Sequence, residues 1–158
     1  MSYWESTGKS DEWYTPPWVF EALGCRFDLD VAAPVEGAFV PADRRISRDS
    51  LELPWDGFIW MNPPFGGRNS LVPWLDKFFR HGDGVALVPD RTSAPWFQGA
   101  FPQADLVLFT PKIRFIRPDG SEGVSPSNGT ALFAVGPKGA VALTRMGGLG
   151  HGILAKPA

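Results

Sequence analysis

Asn62-Pro63-Pro64-Phe65 is the segment whose residue types and order best suit chemistry. Two successive prolines fix φ and remove two N–H donors, which holds the carbonyls of Asn62 and Pro63 in a stiff, extended turn. The Asn62 side-chain oxygen and the Pro63 carbonyl can together accept both hydrogens of an exocyclic amino group, and Phe65 supplies a flat face on which a planar ring can stack. The constellation suits an amino-bearing base flipped out of its stack. A Pro-Pro pair can also simply end a strand, with Asn62 bonding local backbone and Phe65 in the core. Context favours chemistry. The four residues follow an apolar run, Gly57 to Met61, and ligands of open α/β sheets sit outside the carboxyl ends of strands. Gly66-Gly67-Arg68-Asn69 comes next, a polar loop suited to a phosphate backbone.

The corner needs elements to hold it. The unalternating run Gly57-Phe58-Ile59-Trp60-Met61 predicts a strand buried on both faces of a parallel sheet. Before it, Pro16-Pro17 and then Trp18 to Leu23 predict a short helix closed by Gly24, and Arg26 to Ala33 alternates like a strand that Pro34 stops. Residues 34–57 read mostly as loop with one short strand near Ile46. After the corner, Leu71 to Arg80 places Leu71, Trp74, Leu75, Phe78 and Phe79 at helical spacing. Val85–Pro89, Asp105–Phe109 and Thr130–Val135 read as strands, and Ser93–Phe101 as a helix. Strands alternating with helices imply right-handed βαβ units and a compact three-layer α/β fold with a mainly parallel sheet. Residues 1–12 are expected to be a flexible N-terminal segment and residues 13–158 one domain.

Composition sets bounds on partners. With 158 residues, 44% of them hydrophobic, and 18 Gly plus 16 Pro, the chain can build one turn-rich core. No apolar run is long enough to span a bilayer and the N-terminus lacks a signal-like pattern, so a cytoplasmic protein with no membrane partner is expected. The single Cys25 excludes an intramolecular disulfide, and with only His81 and His151 as histidines no metal site is expected. The net charge of −2 speaks against nucleic acid until it is split. Residues 1–56 hold 11 acids and 5 bases, a net of −6, while residues 57–158 hold 6 acids and 10 bases, a net of +4. The second half is able to face an anion, although chance scatter of surface charge gives the same split.

In their order, Asp11-Glu12-Trp13-Tyr14-Thr15-Pro16-Pro17, Phe27-Asp28-Leu29-Asp30-Val31-Ala32-Ala33 and Asn62-Pro63-Pro64-Phe65 resemble the small phage-type DNA N6-adenine methyltransferases of the Dam family. Trp74 to Phe79, Leu87-Val88-Pro89 with Trp96-Phe97, Ile113-Arg114-Phe115 and Ser125-Pro126-Ser127 extend the resemblance over roughly residues 11–135. It implies a Rossmann-like methyltransferase fold, S-adenosylmethionine (AdoMet) as cofactor, double-stranded DNA as partner, and a cytoplasmic setting in a bacterium or a phage-infected host.

The resemblance also implies roles for residues. Asn62, Pro63, Pro64 and Phe65 become the catalytic corner. Thr15-Pro16 reaches the methionine part of the cofactor, although Thr15 also suits a plain helix N-cap. Asp30 would pair with the cofactor ammonium, and Ala32 and Ala33 would let the backbone approach where the wider class has a Gly-rich turn. Asp49 falls where an acid or amide contacts the cofactor's adenine. Arg68, Lys112, Arg114, Arg117 and Asn128 are candidates for DNA contact, each of which could instead be a solvated surface residue. Direct transfer to a flipped-out adenine then requires no covalent enzyme intermediate. Cys25 lacks the Pro-Cys context of a cytosine-C5 nucleophile and reads as a core residue. N4 of cytosine, an RNA adenine or a protein amide remain alternative acceptors, and a catalytically degenerate nucleic-acid-binding module remains an alternative of another class.

Overall fold

Seven strands lie in the order β2-β1-β3-β4-β6-β5-β7 in a computed structural model that describes residues 13–64, 70–123 and 129–158. The expected N-terminal segment, residues 1–12, lies outside the described residues. The strands are β1 (Phe27–Asp30), β2 (Ala42–Arg45), β3 (Ile59–Met61), β4 (Gly84–Pro89), β5 (Leu106–Phe109), β6 (Thr130–Val135) and β7 (Ile153–Ala155). Among the described residues four α-helices accompany them: α1 (Pro17–Leu23), α2 (Val72–His81), α3 (Pro95–Ala100) and α4 (Pro137–Gly148). Each carries a proline at its first or second position, where the missing N–H is no loss. α1 and α2 each end on a left-handed glycine, Gly24 and Gly82, whose amides bond back to Phe20 and Phe78.

The central strands read as continuous apolar runs because both of their faces are covered. Phe58 and Trp60 join Val85, Leu87, Leu132 and Ala134 in one core, packed by α1 and α4 through Phe20, Leu23, Leu143 and Met146. Ile59 and Met61 join Ala86, Val88, Ala131 and Phe133 in a second core, packed by α2 and α3 through Leu75, Phe78 and Phe97. Successive strand residues alternate between the two cores, as the pleat requires. The result is three layers.

The expectation of a mainly parallel sheet is corrected: three of the six pairings are parallel (β1 with β2, β1 with β3, β3 with β4) and three are antiparallel (β4 with β6, β5 with β6, β5 with β7), so the sheet is mixed. The cause is connectivity. β5 ends and β6 begins at the same edge of the sheet, so β6 must run back, and it slots between β4 and β5. α4 then carries the chain over β5 to β7, which runs opposite to its neighbour for the same reason. Neither α4 nor β7 is predicted by the sequence reading above. The short strand expected near Ile46 is β2, which stops one residue before it.

Candidate active site

The parallel strands all present their carboxyl ends at one edge of the sheet. There β1 ends at Asp30, β3 runs into Asn62-Pro63-Pro64, β4 runs into Asp90, and β6 begins beside them. Asn62 is half-buried, Pro63 buried and Pro64 half-buried. Phe65, Arg68 and Asn128 lie outside the described residues.

The segment that precedes α1 is brought to this corner. Tyr14 exchanges two backbone hydrogen bonds with Ile116, at 2.8 and 2.9 Å, and its hydroxyl donates to the Glu36 carbonyl at 2.7 Å. Thr15 and Pro16 are thereby held buried, and the Thr15 hydroxyl accepts a long 3.4 Å bond from Asn62 Nδ2. Thr15 caps no helix, since Pro16 is the N-cap residue and no side chain caps α1. With Nδ2 turned to Thr15, Oδ1 is the atom of Asn62 left to accept hydrogen bonds.

Asp30 is the second unusual group. It is 2% exposed, yet among the described residues its carboxylate receives only a 3.2 Å bond from the Ala32 amide. Burial pushes its pKa up to about 6; the Ala32 amide and the charge of Arg45 pull it only partly back. A buried, poorly compensated carboxylate at the ligand edge is suited to a cation. The backbone around it is firmly tied: Val31 N–H to the Trp60 carbonyl, Ile46 N–H to the Asp30 carbonyl, and Ala33 N–H to the Ile46 carbonyl. The Ala32-Ala33 turn and the exit of β2 are thus stitched together, and Asp49 follows three residues beyond Ile46. Asp49 is exposed and has φ of 59°, a left-handed conformation in which Asp is among the few tolerated side chains.

The proposed phosphate contacts divide. Lys112 and Arg114 are exposed. Arg117 is engaged internally, with its guanidinium 5.1 Å from the Trp13 ring centre and Nη1 bonding Ser121 Oγ and the Glu122 carbonyl. Cys25 is half-buried at the other edge of the sheet, and burial raises its thiol pKa against the opposing charge of Arg145, so it is not an activated nucleophile. A cleft of about 450 Å³ opens at that far edge beside Cys25, Arg26, Asp28, Lys138 and Arg145. It lies at the amino ends of the parallel strands, away from Asn62.

Asp90 belongs to the candidate edge and was missed in the sequence reading. Its amide bonds the Gly129 carbonyl at 3.1 Å, and a Cβ on Gly129 would lie 2.5 Å from Asp90 Oδ2, so glycine is what lets the two segments close. Its signal was available, as a polar residue directly after a buried apolar strand.

A family model for DNA N-6-adenine-methyltransferase (Dam) matches residues 5–138. The chain belongs to the Dam family. No curated protein and no solved structure gives a match. The Dam match takes in the Tyr14–Pro16 segment, Asp30, Asp49, the Asn62 corner, Asp90 and the whole of β6, and it ends as α4 begins. Membership makes this a DNA methyltransferase family chain with adenine N6 as the family's acceptor and DNA as the family's substrate. Among the described residues no helix is long and apolar enough to cross a membrane.

Proposed function

We propose that this Dam-family chain transfers a methyl group from AdoMet to N6 of an adenine flipped out of double-stranded DNA, at the corner formed by Asn62, Pro63, Pro64 and Phe65. The observation that carries the proposal is the meeting of Thr15 with Asn62 at the same sheet edge as the buried Asp30. The three-layer arrangement is read here as a Rossmann-like methyltransferase core forming a single domain.

The residues present fit the cofactor. Asp30 offers a buried anion to the ammonium, Thr15 and Pro16 border the methionine part, Ala32 and Ala33 leave room beside the strand, and Asp49 takes the adenine amino group. When bound, AdoMet supplies an already activated methyl group on its sulfonium. The chain's own task is positioning and charge stabilisation. Asn62 Oδ1 and the Pro63 carbonyl accept the two N6 hydrogens, which turns the nitrogen lone pair out of the ring and stabilises the positive charge that develops on it. Phe65 stacks on the extruded base and offsets part of the few kcal/mol that extrusion costs. Lys112 and Arg114 are assigned to backbone phosphates, joined by Arg68 and Asn128.

Calorimetric titration with AdoMet, followed by methyl transfer from labelled cofactor to unmethylated duplex DNA and nucleoside analysis, tests the reading. N6-methyladenine is the expected product. N4-methylcytosine would reassign the acceptor, and a folded protein that binds no AdoMet would refute the proposal.

A further inference from the structure

The turn that carries Asp49 is wrapped around a lysine from another element. Lys77, on α2, donates through Nζ to the carbonyls of Ser50 at 2.9 Å, Leu51 at 3.1 Å and Leu53, and its ammonium stands 4.7 Å from the Trp55 ring centre. Trp55 closes the turn from the other side, its indole N–H shared between the Ser50 carbonyl at 3.1 Å and Ser50 Oγ at 3.0 Å. Trp55 also stacks on Trp74, one turn before Lys77 on α2. Ser50 is buried, and the Glu52 amide bonds the Asp49 carbonyl at 3.0 Å.

Three carbonyl oxygens that converge on one point repel each other unless a cation occupies it. The ammonium, with three donors and an aromatic face beside it, meets that need. The turn holds Asp49 in a left-handed conformation, uncommon for a residue with a side chain though tolerated by Asp, and the bonds around it help to fix it. Lys77 has no other hydrogen-bonding partner among the described residues, and it sits on the helix that directly follows the Asn62 corner.

We propose that Lys77 is a positioning residue for the cofactor: by caging the Ser50, Leu51 and Leu53 carbonyls it fixes the left-handed turn that presents Asp49 to the adenine of AdoMet, and it ties that turn to the helix behind the methyl-acceptor corner. This rests on the AdoMet reading above.

Calorimetry with AdoMet on wild type, Lys77→Met, Asp49→Ala and the double variant tests it, with circular dichroism confirming the fold. Lys77→Met keeps the aliphatic stem and removes the donors. Each single change should weaken AdoMet about 10-fold, and the double change no more than either one, because both act through one contact. In steady state the KM for AdoMet should rise about 10-fold while kcat at saturation falls less than 3-fold and the KM for DNA stays put. A merely structural lysine would instead lower apparent kcat through loss of folded protein and leave both KM values unchanged. Trp55→Phe, which leaves the ammonium in place but removes the indole N–H, should weaken AdoMet about 3-fold and serves if Lys77→Met does not fold. Unchanged AdoMet affinity in folded Lys77→Met or in Trp55→Phe, or additive losses of about 100-fold in the double variant, would overturn the proposal. If wild type binds AdoMet and Lys77→Met binds it equally, this inference alone fails; if wild type binds none, the proposed function fails and takes this inference with it.

Discussion

The two edges of the sheet treat their polar groups in opposite ways. At the amino edge four polar side chains are well satisfied by their neighbours. Asp28 accepts the Phe58 amide at 2.7 Å, Asp105 accepts the Gly136 amide at 2.7 Å, Arg145 donates to the Leu23 and Gly24 carbonyls at 2.8 and 2.9 Å, and His81 bonds the Gly57 carbonyl at 2.7 Å. At the carboxyl edge the candidate site groups Asn62 and Asp30 are less completely bonded among the described residues. Asn62 reaches Thr15 at 3.4 Å, and Asp30 has one 3.2 Å contact for a buried charge. Asp90's carboxylate makes no hydrogen bond among the described residues. Short, complete bonding ties loops to strands; incomplete bonding leaves capacity for a ligand. The contrast separates groups that hold the fold from groups that await a partner, and it does so even though a cleft opens at the amino edge.

The contrast breaks first, and most severely, at Asn62. Asn62→Ala should lower methyl transfer by about 10²–10³-fold, the usual consequence of removing one group that stabilises developing charge, while AdoMet affinity by calorimetry changes less than 3-fold. Equal loss of both would make Asn62 a structural residue like those of the opposite edge.

Asp30 gives the next largest effect, with two signs. Its carboxyl pKa of about 6 in the fold lies above the ordinary value of 3.8, so folding favours the protonated form. That contribution to stability is fully present below pH 3.8 and is lost as the pH rises through about 6. Above pH 7, Asp30→Asn should therefore raise stability, by an amount of up to about 3 kcal/mol from a shift of roughly two pKa units, with a higher melting temperature as the readout. The same change should weaken AdoMet by about 10-fold or more, since it deletes the anion that faces the ammonium. Wild type should bind AdoMet more weakly below pH 6 than at pH 8. A destabilised Asp30→Asn would place Asp30 among the structural acids.

Asp28 sharpens the comparison from the other edge. Asp28→Ala strands the buried Phe58 amide and should cost about 1–3 kcal/mol in denaturant unfolding, with transfer per folded molecule unchanged. Smallest is Thr15→Val, which removes a long bond to Asn62 at constant shape. It should lower kcat a few-fold and stability by about 0.5–1 kcal/mol, and a loss as large as that of Asn62→Ala would mean that Thr15 touches the substrate itself.

Much of this was legible along the chain. β3, β4, β5 and β6 are short apolar runs bounded by Gly, Pro or polar residues, β1 alternates apolar and acidic residues, and α2 shows its apolar face at helical spacing; these are local patterns that burial on one or two faces dictates. The Asn-Pro-Pro turn is rigid by covalent geometry alone, so its chemistry could be read before its surroundings were known. Family membership likewise follows from residue order. What was not legible depends on residues far apart in sequence. The antiparallel entry of β6 is decided by its beginning at the edge where β5 ends, and hydrophobic pattern does not encode strand direction.

The acids show the same division. Asp28 and Asp30 alternate in one strand and look alike in the sequence, yet one accepts an amide from Phe58 and the other is buried with a single weak contact. Lys77 reads as the polar face of a helix until the turn at 49–55 folds over it, 24 to 27 residues away along the chain. Thr15 and Asn62 stand 47 residues apart. Residue order alone carries most of the elements up to β6, the rigid acceptor corner and the family, because those rest on nearest neighbours, side-chain period and covalent constraint. Which polar groups are satisfied and which are left open is set by the fold, because a hydrogen bond or a buried charge depends on what the chain brings to within about 3 Å.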